Sequence, residues 1–149
     1  MSHRSFTLPD PEIQSEFYAD VPFKRFMAWI ADTILIVLLC VLVLPLTAFT
    51  GIFFFGFLLL VVGFAYRVIT LANGSATWGM RLVSIEMRKA DGDRFDLGTA
   101  FLHTLGFHIS FGVFVLQVVS IVLMMTTGRA QGLTDHFLGT VAINRAARY

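Results

Sequence analysis

Of 149 residues, 56% belong to the set Ala, Val, Ile, Leu, Met, Phe, Trp, Tyr and Cys and only 14% are charged, whereas soluble domains carry about 25% charged residues. These proportions exclude an ordinary water-soluble domain, and the length leaves room for one modest domain rather than a membrane anchor plus a separate catalytic unit. A net charge of +1 gives no support to a nucleic-acid partner, and a lone cysteine, Cys40, excludes an internal disulfide.

The chain opens with a polar arm, residues 1–20, in which Asp10, Glu12, Glu16 and Asp20 outnumber Arg4. That is the wrong charge for the n-region of a signal peptide, so the first apolar segment is expected to stay in the mature protein. Crossing a hydrocarbon core of roughly 30 Å takes about 20 helical residues. Three stretches qualify: 26–46, interrupted by Asp32 and Thr33; 50–71, with the single charge Arg67; and 103–125, with His103, His108 and Gln117. The sequence therefore predicts an all-α membrane protein, one domain over 1–149, with three transmembrane helices. Residues 97–125, with Gly106 and Gly112 inside, leave room for a bent or re-entrant pair as a fourth segment.

Between the second and third stretches Val83, Ile85 and Met87 alternate with Ser84, Glu86 and Arg88, the period of a half-buried strand. Asp91-Gly92 is a hairpin signal with Phe95 on the return strand, Asp96 can cap the next helix, and Trp78 fits an interfacial anchor. This predicts a small ribbon lying on the headgroups, with a docking surface for a protein partner as the alternative. Lys and Arg flanking the spans are retained on the cytoplasmic side. Arg4, Lys24 and Arg25 precede the first span, and Arg81, Arg88, Lys89 and Arg94 follow the second, whereas residues 45–50 carry no charge. The amino terminus and middle loop are expected in the cytoplasm of a multi-pass protein. A strict three-span count sends the tail outside, against which Arg129, Arg145 and Arg148 argue, so its side stays open.

The polar residues inside the spans carry the functional signal, because a charge at mid-helix costs about 2.5–3.5 kcal/mol on insertion scales and must find a partner. Asp32 shares a stripe with Arg25 and Ala28, but at 1.5 Å per residue Arg25 lies about 10 Å away. Arg67, at comparable depth on the antiparallel second helix, is the expected partner, on a face with Gly56, Gly63 and Thr70. His103, Gly106, Ser110 and Gln117 form a matching row on the third. The expectation is a buried polar seam of Asp32 against Arg67, with His103 near the cytoplasmic end and Gln117 deeper. His103 and His108 lack the i, i+4 spacing of a zinc site, and neither nucleophile-elbow, phosphate-loop nor dinucleotide motifs occur. No enzymatic activity, metal or cofactor is expected. Asp135, taken alone, reads as a turn or cap residue.

Four segments together resemble a known family. Arg25-x-x-Ala28-x-x-x-Asp32, Gly74-Ser-Ala-Thr77-Trp-Gly79-Met-Arg81-Leu82, Ala90-Asp91-Gly92, and Gln131-Gly132-Leu133-Thr134-Asp135 followed by Gly139-Thr140-Val141 are similar to the signature of the RDD family of small bacterial membrane proteins. The resemblance covers about residues 18–143 and implies that Arg25, Asp32 and Asp135 are the name-giving residues. Met80, Thr134 and His103 depart from it, standing where the family commonly has lysine, histidine and arginine. Family membership implies a bacterial inner-membrane protein, and for some members monovalent cation/proton antiport. The expected function is transport of small solutes or monovalent cations, with Asp32 as the exchange carboxylate and Arg25, Arg67, His103 and Asp135 around it. Three helices cannot easily enclose a pathway, so a homo-oligomer in the lipid bilayer is expected. The alternative is a non-transporting assembly or regulatory module acting through the middle loop.

Overall fold

The computed structural model describes residues 8–145; Arg4 and Arg148 lie outside them. Helix α1 spans Val21–Val43, with Pro22 in its first turn, where a missing N–H costs nothing. The apolar run continues through a 3-10 turn at Leu44–Thr47, and a second such turn, Thr50–Ile52, leads into α2, Phe55–Ala72. Both helices are long and apolar enough to cross a membrane. Ile34, Leu38 and Leu42 of α1 and Phe57, Leu60 and Val61 of α2 are exposed, an outer surface suited to hydrocarbon.

The third expected span is broken. Helix α4, Leu97–Gly112, and helix α5, Phe114–Thr126, meet at a bend of 117°. Gly112 is a poor helix former and Val113 between them is extended, at φ −117° and ψ 103°. At 1.5 Å per residue the two are about 24 and 20 Å long, each short of a core roughly 30 Å thick. The continuous helix expected over 103–125 is thus replaced by a bent pair broken beside Gly112, of the kind that the sequence left room for. Asp96 caps α4 as expected: its Oδ1 accepts from the Thr99 N–H at 2.7 Å, and that bond helps pull its pKa down to about 2.

The return strand also differs from expectation. Strand β1, Ile85–Arg88, pairs antiparallel not with the segment around Phe95 but with β2, Val141–Asn144, in the register Glu86 to Ile143 and Met87 to Ala142. A turn does form at 89–93, where Lys89 N–H bonds the Asp93 carbonyl at 2.8 Å. The charged residues after it offer no apolar alternation, whereas Val141, Ala142 and Ile143 do. Ile85, Glu86 and Met87 are all buried, so β1 is a core element rather than a ribbon on headgroups.

Two short helices complete this end: α3, Trp78–Leu82, and α6, Leu133–Leu138. Leu71, Met80, Ile85, Met87, Phe95, Ala100 and Ala142 pack with Val21 and Ala28 of α1 in one cluster. It joins the start of α1, the end of α2 and the start of α4. The arm joins through Phe17 and Tyr18, which pack on Val141 and Ile143. Asn144 Nδ2 donates to the carbonyls of Glu16 and Ala19, and Lys24 Nζ donates to Asn144 Oδ1 at 2.7 Å. Through the β1–β2 pairing and these contacts, the arm, the middle loop and the tail come together at one end of the fold.

Candidate functional site

The two aspartates are held in different ways. Asp32, on α1 and 2% exposed, accepts three hydrogen bonds. Tyr66 Oη of α2 donates to Oδ1 at 2.6 Å, the Gly79 backbone N–H to Oδ1 at 2.8 Å, and Thr77 Oγ1 to Oδ2 at 2.6 Å. All three are short. Thr77 is also the N-cap of α3, its hydroxyl oxygen accepting from the Met80 N–H at 3.2 Å. A Cβ at Gly79 would overlap the Ala28 carbonyl oxygen and come within 2.8 Å of the Asp32 carboxylate. Only glycine lets α3 press its backbone N–H onto α1 there.

Asp135, in the first turn of α6, is fully buried. Arg25 Nη1 donates to Oδ2 at 2.6 Å, and His103 Nε2 lies 2.9 Å from Oδ1. Thr140 Oγ1 and the Gly132 N–H donate at 2.7 and 3.1 Å. A carboxylate facing Nε2 calls for a proton on that nitrogen, and Nδ1 has no hydrogen-bond partner. Burial alone pushes the Asp135 carboxyl up; the Arg25 charge and the hydrogen bonds of His103 and Arg25 outweigh it and hold the group well below the usual carboxylate range. What reads from sequence as a turn residue is the anchor that ties the tail to α1 and α4.

The expected Asp32–Arg67 ion pair does not form. Arg67, 5% exposed, lies with its guanidinium 3.8 Å from the centre of the Phe107 ring, a cation–π contact. Its Nε has no hydrogen-bond partner, and among the described residues it makes no salt bridge. Asp32 is satisfied instead by three neutral donors from α2 and the α3 segment, two on Oδ1 and one on Oδ2. Arg25, judged too far along the helix to meet Asp32, points instead to the tail.

The small-residue stripe expected on α2 is not where helices approach most closely. A Cβ at Gly56 would meet nothing within 4 Å, and one at Gly63 would make ordinary contact with Ile36 at 3.6 Å. The tight positions are Gly79, Gly106, where a Cβ would come 2.5 Å from Thr134, and Gly132, 2.6 Å from Met124 and Ser120. They seat α3 and α6 against the helices. His108 bonds the Thr104 carbonyl through Nδ1 at 2.9 Å, an intrahelical contact of structural kind.

A cavity of about 800 Å³ lies between α1, α4, α5 and α6, within the roughly 300–1,000 Å³ of small-molecule sites. Arg25, Asp32, Arg67, His103 and Asp135 all line it, so every charged candidate from the sequence converges on one space. Gln117 joins from α5, beyond the bend. The remaining wall is mainly apolar, with Trp29, Phe107, Phe111 and Ile121. Sequence reasoning missed Tyr66, Thr77, Gly79 and Thr140 as ligands of the carboxylates. The signal lay in the Gly74–Leu82 segment, legible as a motif but silent on what it grips.

The family model described as the RDD family matches residues 20–139 of the chain. No curated protein and no solved structure matches it.

Proposed function

The chain belongs to the RDD family, and on that premise we propose that it is a membrane carrier of small charged solutes, with the cavity between α1, α4, α5 and α6 as the solute site. The observation that supports this reading is the convergence of five charged or titratable side chains on a space of about 800 Å³. A charge pair that served only to fix helix register would be packed shut. The basic residues Lys24, Arg25, Arg81, Arg88, Lys89 and Arg94 lie on the side shared by arm, loop and tail, which supports a cytoplasmic placement of that side in the inner membrane. Two spans and a bent pair enclose a pathway poorly, so the carrier works as a homo-oligomer.

Monovalent cation/proton exchange at Asp32 is one form of this reading, supported by the burial of that carboxylate at the cavity wall. A cation there would have to displace donors from Tyr66, Thr77 and Gly79. Arg67 offers unused N–H groups to the same space, which favours a solute bearing negative charge. Proteoliposomes containing a pH-sensitive dye test both forms. Challenged in turn with Na⁺, Li⁺, K⁺ and organic anions, they report solute-coupled proton movement. An anion response lost in Arg67→Gln fits the favoured form, and a cation response lost in Asp32→Asn fits the other. No response to any solute would overturn the carrier reading.

A further inference from the structure

The cavity is amphipathic, and its charged end holds one group that the fold does not use. Arg67 is nine-tenths buried, has no salt bridge among the described residues, and leaves its Nε unpartnered. The nearby carboxylates are engaged by other donors. Both Asp32 oxygens already accept short bonds from Tyr66, Thr77 and Gly79, and Asp135 is taken by Arg25, His103, Thr140 and Gly132. A guanidinium held by a ring face on one side keeps its N–H edge available, and that planar edge matches the two oxygens of a carboxylate or phosphate. A buried donor left in this condition is costly unless a ligand completes it.

The rest of the space says what the anion is attached to. From Arg67 the walls continue through Phe107, Phe111 and Trp29, which adjoin in sequence: Trp29 and Phe111 stack at 5.8 Å between ring centres, and Phe107 lies tilted against Phe111 at 4.6 Å. At the rim stand Phe26, Ile121 and Met125, all exposed on the helix surface that hydrocarbon would cover. We propose that this cavity binds an anionic amphiphile with a single apolar chain, its carboxylate or phosphate on Arg67 and its chain along Trp29, Phe111 and Ile121, entering from the bilayer between α1 and α5. The proposal shares its cavity with the carrier reading and names the class of solute for it, but binding is read without flux, so either can fail alone.

Trp29 is the reporter. In a Trp78→Phe background it is the sole tryptophan, and chain-brominated oleate quenches it on contact. Purified protein in nanodiscs of uncharged lipid, titrated with brominated oleate, brominated lysophosphatidic acid and brominated oleyl alcohol, separates head from chain. The anionic amphiphiles are expected to quench saturably, with half-saturation at a concentration at least tenfold below that of the alcohol, and Arg67→Gln to erase that difference. Arg67→Lys keeps charge but not the planar edge and should fall between. If Arg67→Gln does not fold, Ile121→Trp crowds the apolar wall with every charge in place; read by co-purification of radiolabelled oleate, it should retain less than a tenth of the wild-type amount. Equal quenching by acid and alcohol, no saturable quenching at all, or a two-chain phospholipid that co-purifies and resists displacement by oleate would each overturn the proposal.

Discussion

The Asp32 Oδ1 atom lies 2.8 Å from the backbone nitrogen of Gly79, 47 residues away, and this bond is possible because Gly79 has no Cβ to strike the Ala28 carbonyl. Gly79→Ala should therefore destabilise by about 2–5 kcal/mol, combining an overpacking cost with a lost buried hydrogen bond. Tyr66→Phe removes one of three donors and should cost about 1–3 kcal/mol. Thermal unfolding in a fixed detergent measures both, and a Gly79→Ala protein as stable as wild type would disprove this packing.

Charge exchange distinguishes the two aspartates. Swapping Asp32 and Arg67 should not restore the stability lost in either single variant, because Thr77, Tyr66 and Gly79 hold Asp32 and Arg67 does not. Removing either partner of Arg25–Asp135 should cost about 3–5 kcal/mol, as breaking a buried pair does. The double variant Arg25→Met/Asp135→Leu should recover part of it, read as a non-additive term in a double-mutant cycle.

The depressed Asp135 carboxyl gives a pH dependence whose sign is fixed. Its folded pKa lies below its unfolded value of about 3.9. The contribution is complete above the unfolded pKa and is lost as pH falls towards the folded one. Melting temperature should hold from pH 7 to about 5 and fall below about pH 4. Asp135→Asn should be less stable at neutral pH, with the gap to wild type closing on acidification.

The shared side of arm, loop and tail predicts a labelling pattern. In a Cys40→Ala background, Asp91→Cys and Arg145→Cys should react with a membrane-impermeant maleimide from the same face. Phe53→Cys, between α1 and α2, should react from the opposite one. A tail cysteine that labels with Phe53→Cys would break the β1–β2 pairing.

Composition and periodicity made the bilayer, α1, α2 and the Asp96 cap legible, because hydropathy and capping act locally. Asp32, Arg67, His103 and Gln117, the polar residues expected along the seam, line one cavity, and Arg25 and Asp135, named only by the family resemblance, line it with them. Their pairing was not legible. It depends on where short segments fold back, and nothing within Thr77–Gly79 states that its N–H and hydroxyl will reach Asp32. Strand β1 displayed its period of two, yet its partner, Val141–Asn144, lies more than fifty residues on. The 117° turn at Val113 likewise arises from a glycine that many helices would tolerate.

Solute-coupled flux in proteoliposomes reconstituted with purified wild type and Arg67→Gln tests the central claim, that the charged cavity carries a solute with Arg67 facing it. The account predicts anion-dependent flux above protein-free vesicles in wild type and at least a tenfold lower initial rate in Arg67→Gln, with both proteins monodisperse and folded. Wild-type flux undiminished by Arg67→Gln, or no flux above empty vesicles, would contradict it.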